Sequence, residues 1–204
     1  FMQGFVMGGG VGVGCHVSHR VVEDATQIAM PECGIGLVPD VGGSLLLAQA
    51  PGRLGAYLGL TAARMGPGDA IATGFADLHI ARDHWGGLIL DLEKTGDISA
   101  LDGKAHADTA TPLMQNITLV NDLFTGDLEA IRAALAAAEG DFAASAAKAV
   151  GRNSPLAMAC TLEMLTRLEG VTDLREALAL EYRFTARAME HGDFLEGIRA
   201  QIID

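Results

Sequence analysis

Two carboxylates, Glu32 and Asp40, stand eight residues apart in a segment whose other members are apolar, glycine or proline. Glu32 follows Met30-Pro31 and Asp40 follows Val38-Pro39, with Cys33, Gly34, Ile35, Gly36 and Leu37 between. An acid placed there loses hydration, which costs free energy unless the group has a partner or a task. In an apolar pocket a carboxyl's pKa rises, and that is how glutamate serves as acid, base or nucleophile near neutral pH. The plainer readings are two exposed loop acids, or for Asp40 a cap on the helix that opens at Gly42-Gly43. Capping accounts for a lone aspartate. It does not account for Glu32.

Upstream lies a run of glycines, Gly8-Gly9-Gly10, at the junction of an apolar stretch and a helix start. It is not a dinucleotide fingerprint, because the sixth position from Gly8 is Val13 and from Gly10 is Cys15. No G-x-x-x-x-G-K occurs, so a P-loop is excluded. Free backbone N–H groups at a helix start, with no side chains in the way, meet the requirement for an oxyanion hole. Close packing of helix on sheet is the stronger reading of the glycines alone, and the two acids shift that balance towards chemistry.

Other candidates carry less. His16 and His19 are three apart but have no third ligand in sequence and no H-E-x-x-H pattern, so no metal site is expected. Cys15 and His16 are neighbours, and adjacent side chains on a helix diverge. No G-x-S-x-G elbow occurs. Arg53 and Arg64 are the cations that follow the acids, and exposure is the favoured reading for both. The net charge of −12 argues against nucleic acid as a partner, and an anionic small ligand would need a local basic patch. Three widely spaced cysteines with no C-x-x-C suggest a reduced, cytoplasmic-type chain. No apolar run reaches bilayer-spanning length and no signal peptide is visible, so no membrane partner is expected.

The elements that must position these residues follow from local pattern. A short apolar run over 1–7 meets the glycines, after which 11–17 reads as a tightly packed glycine-rich helix. Stretches 19–23 and 26–29 are candidate strands, and 31–40 is turn chemistry. Gly42-Gly43-Ser44 opens a helix that Pro51-Gly52 ends, another runs over 53–60, and Pro67-Gly68-Asp69 caps a third. Residues 94–112 read as an acidic loop. Beyond them the pattern is helical: an alanine-rich segment over 128–150, one starting at Ser154-Pro155, and one over 173–190 ending near His191-Gly192-Asp193. The division is an α/β front over 1–112, holding the acids, and a helical region over 113–204. Both chain ends, at Phe1 and at Ile202-Ile203-Asp204, fall inside apolar patterns and look cut.

At these residues the sequence resembles the crotonase (enoyl-CoA hydratase/isomerase) superfamily. The motifs that carry the resemblance are Met7-Gly-Gly-Gly-Val-Gly12, Ala29-Met-Pro-Glu32, Gly36-Leu-Val-Pro-Asp-Val-Gly-Gly43, Pro51-Gly-Arg-Leu-Gly55 and Leu58-Gly-Leu-Thr61. Glu181-Tyr-Arg183 and Asp193-Phe-Leu-Glu-Gly-Ile-Arg-Ala200 match near the C-terminus. The resemblance implies the ββα spiral core of the ClpP/crotonase fold, N-terminally incomplete, with a helical C-terminal part. Within the superfamily the chain is most similar to the branch of 3-hydroxyisobutyryl-CoA hydrolases. That implies hydrolysis of the thioester to 3-hydroxyisobutyrate and CoA, a step of valine breakdown, with no cofactor because CoA is part of the substrate.

The resemblance also assigns roles. Gly9 would donate one of two backbone N–H groups to the thioester oxygen. Glu32 would attack the thioester or activate water, and Asp40 would bind the 3-hydroxyl. Hydratases of the family place a second glutamate where Gly12 stands here, and removing that acid removes the hydration pair. The other oxyanion donor would lie on chain preceding Phe1, a short tail would follow Asp204, and assembly into a homo-oligomer would involve the helical part. The alternatives are an enoyl-CoA hydratase or isomerase, and a non-catalytic fragment or subunit.

Overall fold

The computed structural model describes residues 1–106 and 109–203. Ala107 and Asp108 of the expected 94–112 loop, and Asp204, lie outside the described residues.

Strand β1 (Phe5–Met7) leads into helix α1 (Gly9–Gly14), then β2 (Val21–Val22) and β3 (Gln27–Ala29). β1 and β3 pair in parallel, Met7 opposite Ala29. A parallel pair needs a crossover, and α1 with the chain after it supplies one. The helices α2 (Gly43–Gln49), α3 (Leu54–Thr61) and α4 (Pro67–Ala72) follow, then β4 (Leu78–His79), which pairs in parallel with β2. Next comes α5 (Trp85–Thr95), and from Pro112 onward every regular element among the described residues is α-helical. These are α6 (Pro112–Gln115), α7 (Ile117–Leu123), α8 (Leu128–Ala137), α9 (Asp141–Arg152), α10 (Pro155–Arg167), α11 (Leu174–His191) and α12 (Phe194–Ile202).

Local chemistry explains most boundaries. Ser154 accepts a hydrogen bond from the Ala157 amide and Pro155 takes the first turn of α10, where its missing N–H costs nothing. Asp127 and Asp173 cap α8 and α11 in the same way. The main core joins β1, α1 and β3 to α2, α3 and α7–α10, with Ile28, Leu54, Leu60, Phe124 and Ile131 among its fully buried side chains. A smaller core gathers Val21, Ile80, Trp85, Leu88 and Leu101.

Several expectations need correction. The helix expected over 11–17 lies over Gly9–Gly14 and gives way at Cys15, and the strand expected over 19–23 is only Val21–Val22. The segment 128–150 is two helices, because Gly140 takes a φ of 98° that a continuing helix cannot contain. The region 94–112 is not all loop: α5 reaches Thr95 and a 3₁₀ turn spans Ile98–Leu101. β4 and α5 were not anticipated at all.

Candidate active site

Two parallel strands deliver the site. Chain leaving the end of β1 turns at Gly8 into α1, and chain leaving the end of β3 runs through Met30-Pro31 to Glu32. Gly8 has a φ of 50° and a ψ of −121°, a backbone state that glycine alone adopts freely. A Cβ on Gly8 would lie 3.4 Å from Glu32 Oε1, so the glycine turn and the carboxylate stand against one another. Val11 and Gly12 donate their amides to the Gly8 carbonyl, at 2.9 and 3.4 Å. The Gly9 and Gly10 amides fall in the first turn, where no carbonyl within the helix accepts them. Gly9 is exposed, and a Cβ there would meet nothing within 4 Å.

Glu32 opens a 3₁₀ turn, Glu32–Ile35, ended by Gly36 in the left-handed region and closed by Leu37 N–H to the Glu32 carbonyl at 3.0 Å. Its side chain is buried at 5 % exposure. Among the described residues its Oε2 has no hydrogen-bond partner. Burial pushes the Glu32 carboxyl up to about 8, and the charges of Asp40 and Glu181 add to the rise. Asp40 is half-buried, and burial raises its carboxyl above the ordinary range. Glu32 and Asp40 are thus brought within electrostatic reach of each other.

The residue after Asp40 is unusual. Val41 has a φ of 53°, in the left-handed region that a β-branched side chain rarely enters. Such strain costs about 1–3 kcal/mol and persists only where the surroundings impose it. Glu181 is one such surrounding. Reaching over from α11, its carboxylate accepts from Gly42 N–H at 3.0 Å, from Ser44 N–H at 3.3 Å and from the Ser44 hydroxyl. This caps α2 from a distant helix and pins the turn that carries Asp40. Sequence reasoning gave Glu181 no role. Its signal was an acid on the buried stripe of α11, one turn after Ala177.

Val41 also fills the space beside α1. A Cβ on Gly12 would meet Val41 Cβ at 2.8 Å, Val41 Cγ2 at 3.3 Å and the Val41 carbonyl at 3.4 Å.

The helical region grips the Glu32 turn from the other side. Ser154 N–H donates to the Cys33 carbonyl at 2.9 Å, and Cys33 Sγ lies 3.4 Å from the Thr161 hydroxyl. α12 packs so closely that a Cβ on Gly197 would stand 2.4 Å from the Ile35 backbone, and one on Gly36 would stand 2.5 Å from the Asp193 backbone. A cavity of about 360 Å³ abuts the turn, lined in part by Met7, Ala29, Pro31 and Ile35, with Arg64 and Arg152 in its wall.

The remaining sequence candidates are not part of the Glu32–Asp40 pair, but Arg64 lines the cavity beside it and a Cβ on Gly42 would meet His16 Nε2 at 2.5 Å. Arg53 and Arg64 are exposed, and Arg64 donates to Gln27 at 3.3 Å and lies over the Phe5 ring. His19 pairs with the Ser18 hydroxyl at 2.9 Å, His16 Nε2 has no partner among the described residues, and the two gain no shared third ligand there. Cys15 and Cys33 are buried free thiols pushed by burial up to about 11 and about 12, so neither is a nucleophile near neutral pH.

The chain belongs to the enoyl-CoA hydratase/isomerase family, the crotonase superfamily, whose family model, described as "Enoyl-CoA hydratase/isomerase", matches residues 1–204. Its fold is that of the crotonases. The crystal structure of an enoyl-CoA hydratase from Rhodobacter sphaeroides 2.4.1 superposes with a TM-score of 0.93 at 55% identity, over 99% of this chain and 59% of that one. A carnitinyl-CoA dehydratase from Mycobacterium thermoresistibile superposes equally well, TM-score 0.93 at 42% identity, over 99% of this chain and 60% of that one. Among curated proteins, the mitochondrial 3-hydroxyisobutyryl-CoA hydrolase of Rattus norvegicus is 36% identical over 100% of this chain and 56% of its own length. The human protein of the same name is 33% identical over 100% of this chain and 55% of its own length. The chain therefore spans little more than half the length of the relatives it matches.

Proposed function

We propose that this chain carries the catalytic centre of an acyl-CoA thioester hydrolase, with a 3-hydroxyacyl-CoA, 3-hydroxyisobutyryl-CoA in particular, as substrate. The observation that carries the reading is the filling of the Gly12 position by Val41. Adding water across a double bond in this family uses two acids that flank the substrate, one orienting water and one moving the proton. Here Glu32 has no companion on α1, and Val41 occupies the room one would need. Thioester hydrolysis needs a single carboxylate beside a carbonyl, with N–H groups to hold the charge that develops on oxygen.

Gly9 N–H donates to the thioester oxygen. Glu32, as the carboxylate, attacks the carbonyl carbon or takes a proton from the water that does. The C–S bond breaks as the tetrahedral oxyanion collapses, and the CoA sulfur leaves as thiolate and is protonated. In the first route water then cleaves the mixed anhydride and regenerates the carboxylate. Asp40 accepts a hydrogen bond from the 3-hydroxyl and fixes the acyl chain against Glu32. Arg64 and Arg152 supply positive charge beside the turn for an anionic thioester, against a net charge of −12. Three free thiols suit a reducing compartment, and among the described residues no helix is long and apolar enough to cross a membrane.

The rival reading is a hydratase, favoured by the 55% identity to a protein described as one. Substitution separates the assignments within the site. In the intact protein, Glu32→Gln lowers thiol release from 3-hydroxyisobutyryl-CoA by about 10²–10⁴-fold, the usual worth of a positioned acid–base group. Asp40→Asn lowers it more for the 3-hydroxyacyl thioester than for the same acyl chain without the hydroxyl. Thiol release unchanged in Glu32→Gln removes the residue assignment.

A further inference from the structure

Away from Glu32, on the other strand pair, three potential ligands converge from distant parts of the chain. Asp24 lies in the turn after β2, His79 ends β4, and His106 lies on the chain between α5 and α6. One ligand atom from each falls within 4.8 Å of the other two. Because β2 and β4 pair in parallel with Val22 opposite His79, the turn after β2 is carried to the end of β4. His106 N–H donates to the His79 carbonyl at 2.8 Å, which brings the third residue to the same place.

The surroundings are those of a cation site. His79 is buried at 8 % exposure, and its Nδ1 lies 3.0 Å from the Thr109 hydroxyl while Nε2 lies 2.9 Å from Asp24 Oδ1. A metal-bound imidazole characteristically has its second ring nitrogen held by such a neighbour, which fixes the tautomer and the ring plane. The His106 ring lies 4.5 Å from the His79 ring, tilted by 41°. Two imidazole rings this close can each present a ring nitrogen to one divalent cation. Two nitrogens and one carboxylate oxygen suit zinc or a similar first-row divalent ion, with water completing the shell.

We infer that Asp24, His79 and His106 bind one such cation, which ties the end of β2, the end of β4 and the chain leading to α6 together. The competing account is a hydrogen-bonded cluster without metal, in which His79 bridges Asp24 and Thr109 and His106 merely packs beside it. Neither account bears on Glu32, so turnover is not the readout.

The test uses the intact, tag-free protein, dialysed against zinc chloride or cobalt chloride and then assayed for bound metal and visible absorption. The expected result is one equivalent of zinc per chain and a cobalt spectrum of a nitrogen–oxygen site. Asp24→Asn and His106→Ala each weaken binding at least tenfold. Those side chains are exposed, so the fold survives both changes, which circular dichroism verifies. His79→Asn abolishes binding. Zinc uptake by the wild type no greater than that of the Asp24→Asn/His106→Ala double variant overturns the assignment.

Discussion

Glu32 sits where an ionised carboxylate is poorly solvated, and that has a consequence for stability as well as for rate. Burial carries its pKa from the ordinary glutamate value of 4.5 to about 8 in the folded chain. Below the lower value both states hold the proton and the group is neutral in its effect. Between the two the unfolded chain has lost the proton and the folded chain keeps it, so stability falls as pH rises. Above about 8 the full cost of the buried charge is present. Glu32→Gln carries no such charge. Its melting temperature relative to wild type is expected to climb between pH 5 and 8 by at least about 2 °C, a shift worth roughly 1 kcal/mol in a chain of this size. A difference that stays flat or narrows across that range contradicts the burial argument. On the proposed mechanism turnover is expected to move the other way, rising towards alkaline pH as Glu32 ionises. The burial of Glu32 was legible because an acid among apolar and glycine neighbours has no cheap structural explanation. Glu181 was not legible as a partner, since its contact spans 139 positions of chain and no local pattern records it.

At the scale of elements, α2 starts without a local cap: Gly42 has no side chain to offer, and Glu181 takes over from α11. Losing it leaves the Gly42 and Ser44 donors unpaired and buried. Glu181→Ala is expected to destabilise by about 2–3 kcal/mol, the order of hydrogen bonds to a buried charged group, and Glu181→Gln by about half of that. Because the same turn carries Asp40 and the strained Val41, Glu181→Gln should also raise KM for a 3-hydroxyacyl thioester more than for its unsubstituted analogue. Denaturant melts and paired kinetics check both effects, and an equal change for the two substrates would reduce Glu181 to a stabilising cap. Helices α2, α3, α10 and α11 were readable from caps, prolines and periodicity. β4 and α5 were not. A two-residue strand has no period to detect, and Trp85-Gly86-Gly87 is a weak helix start. α5 forms because Trp85 and Leu88 close a small core with Val21 and Ile80. Gly140 divides the 128–150 segment, and its φ of 98° is a property of tertiary placement that alanine-rich periodicity masks.

At the scale of the molecule, the turn that carries Glu32 is held between two kinds of structure. Parallel strands β1 and β3 bring the Gly8 turn against the Glu32 carboxylate, while α10 and α12 clasp the far side of the Glu32 turn through Ser154, Thr161 and Gly197. The C-terminal motif around Gly197 was visible in the sequence. Its purpose was not, because the need for glycine appears only when α12 meets the Ile35 backbone. The same fold serves proteins described as hydratases and as hydrolases, so fold alone does not choose the reaction. On the proposed reading the set of acids chooses, and a Cβ on Gly12 would stand 2.8 Å from Val41 Cβ. The most direct measurement follows thiol release from 3-hydroxyisobutyryl-CoA beside water addition to crotonyl-CoA, with the intact protein under one set of conditions. Thiol release with little or no hydration is the expected result, and hydration without thiol release contradicts the hydrolase assignment.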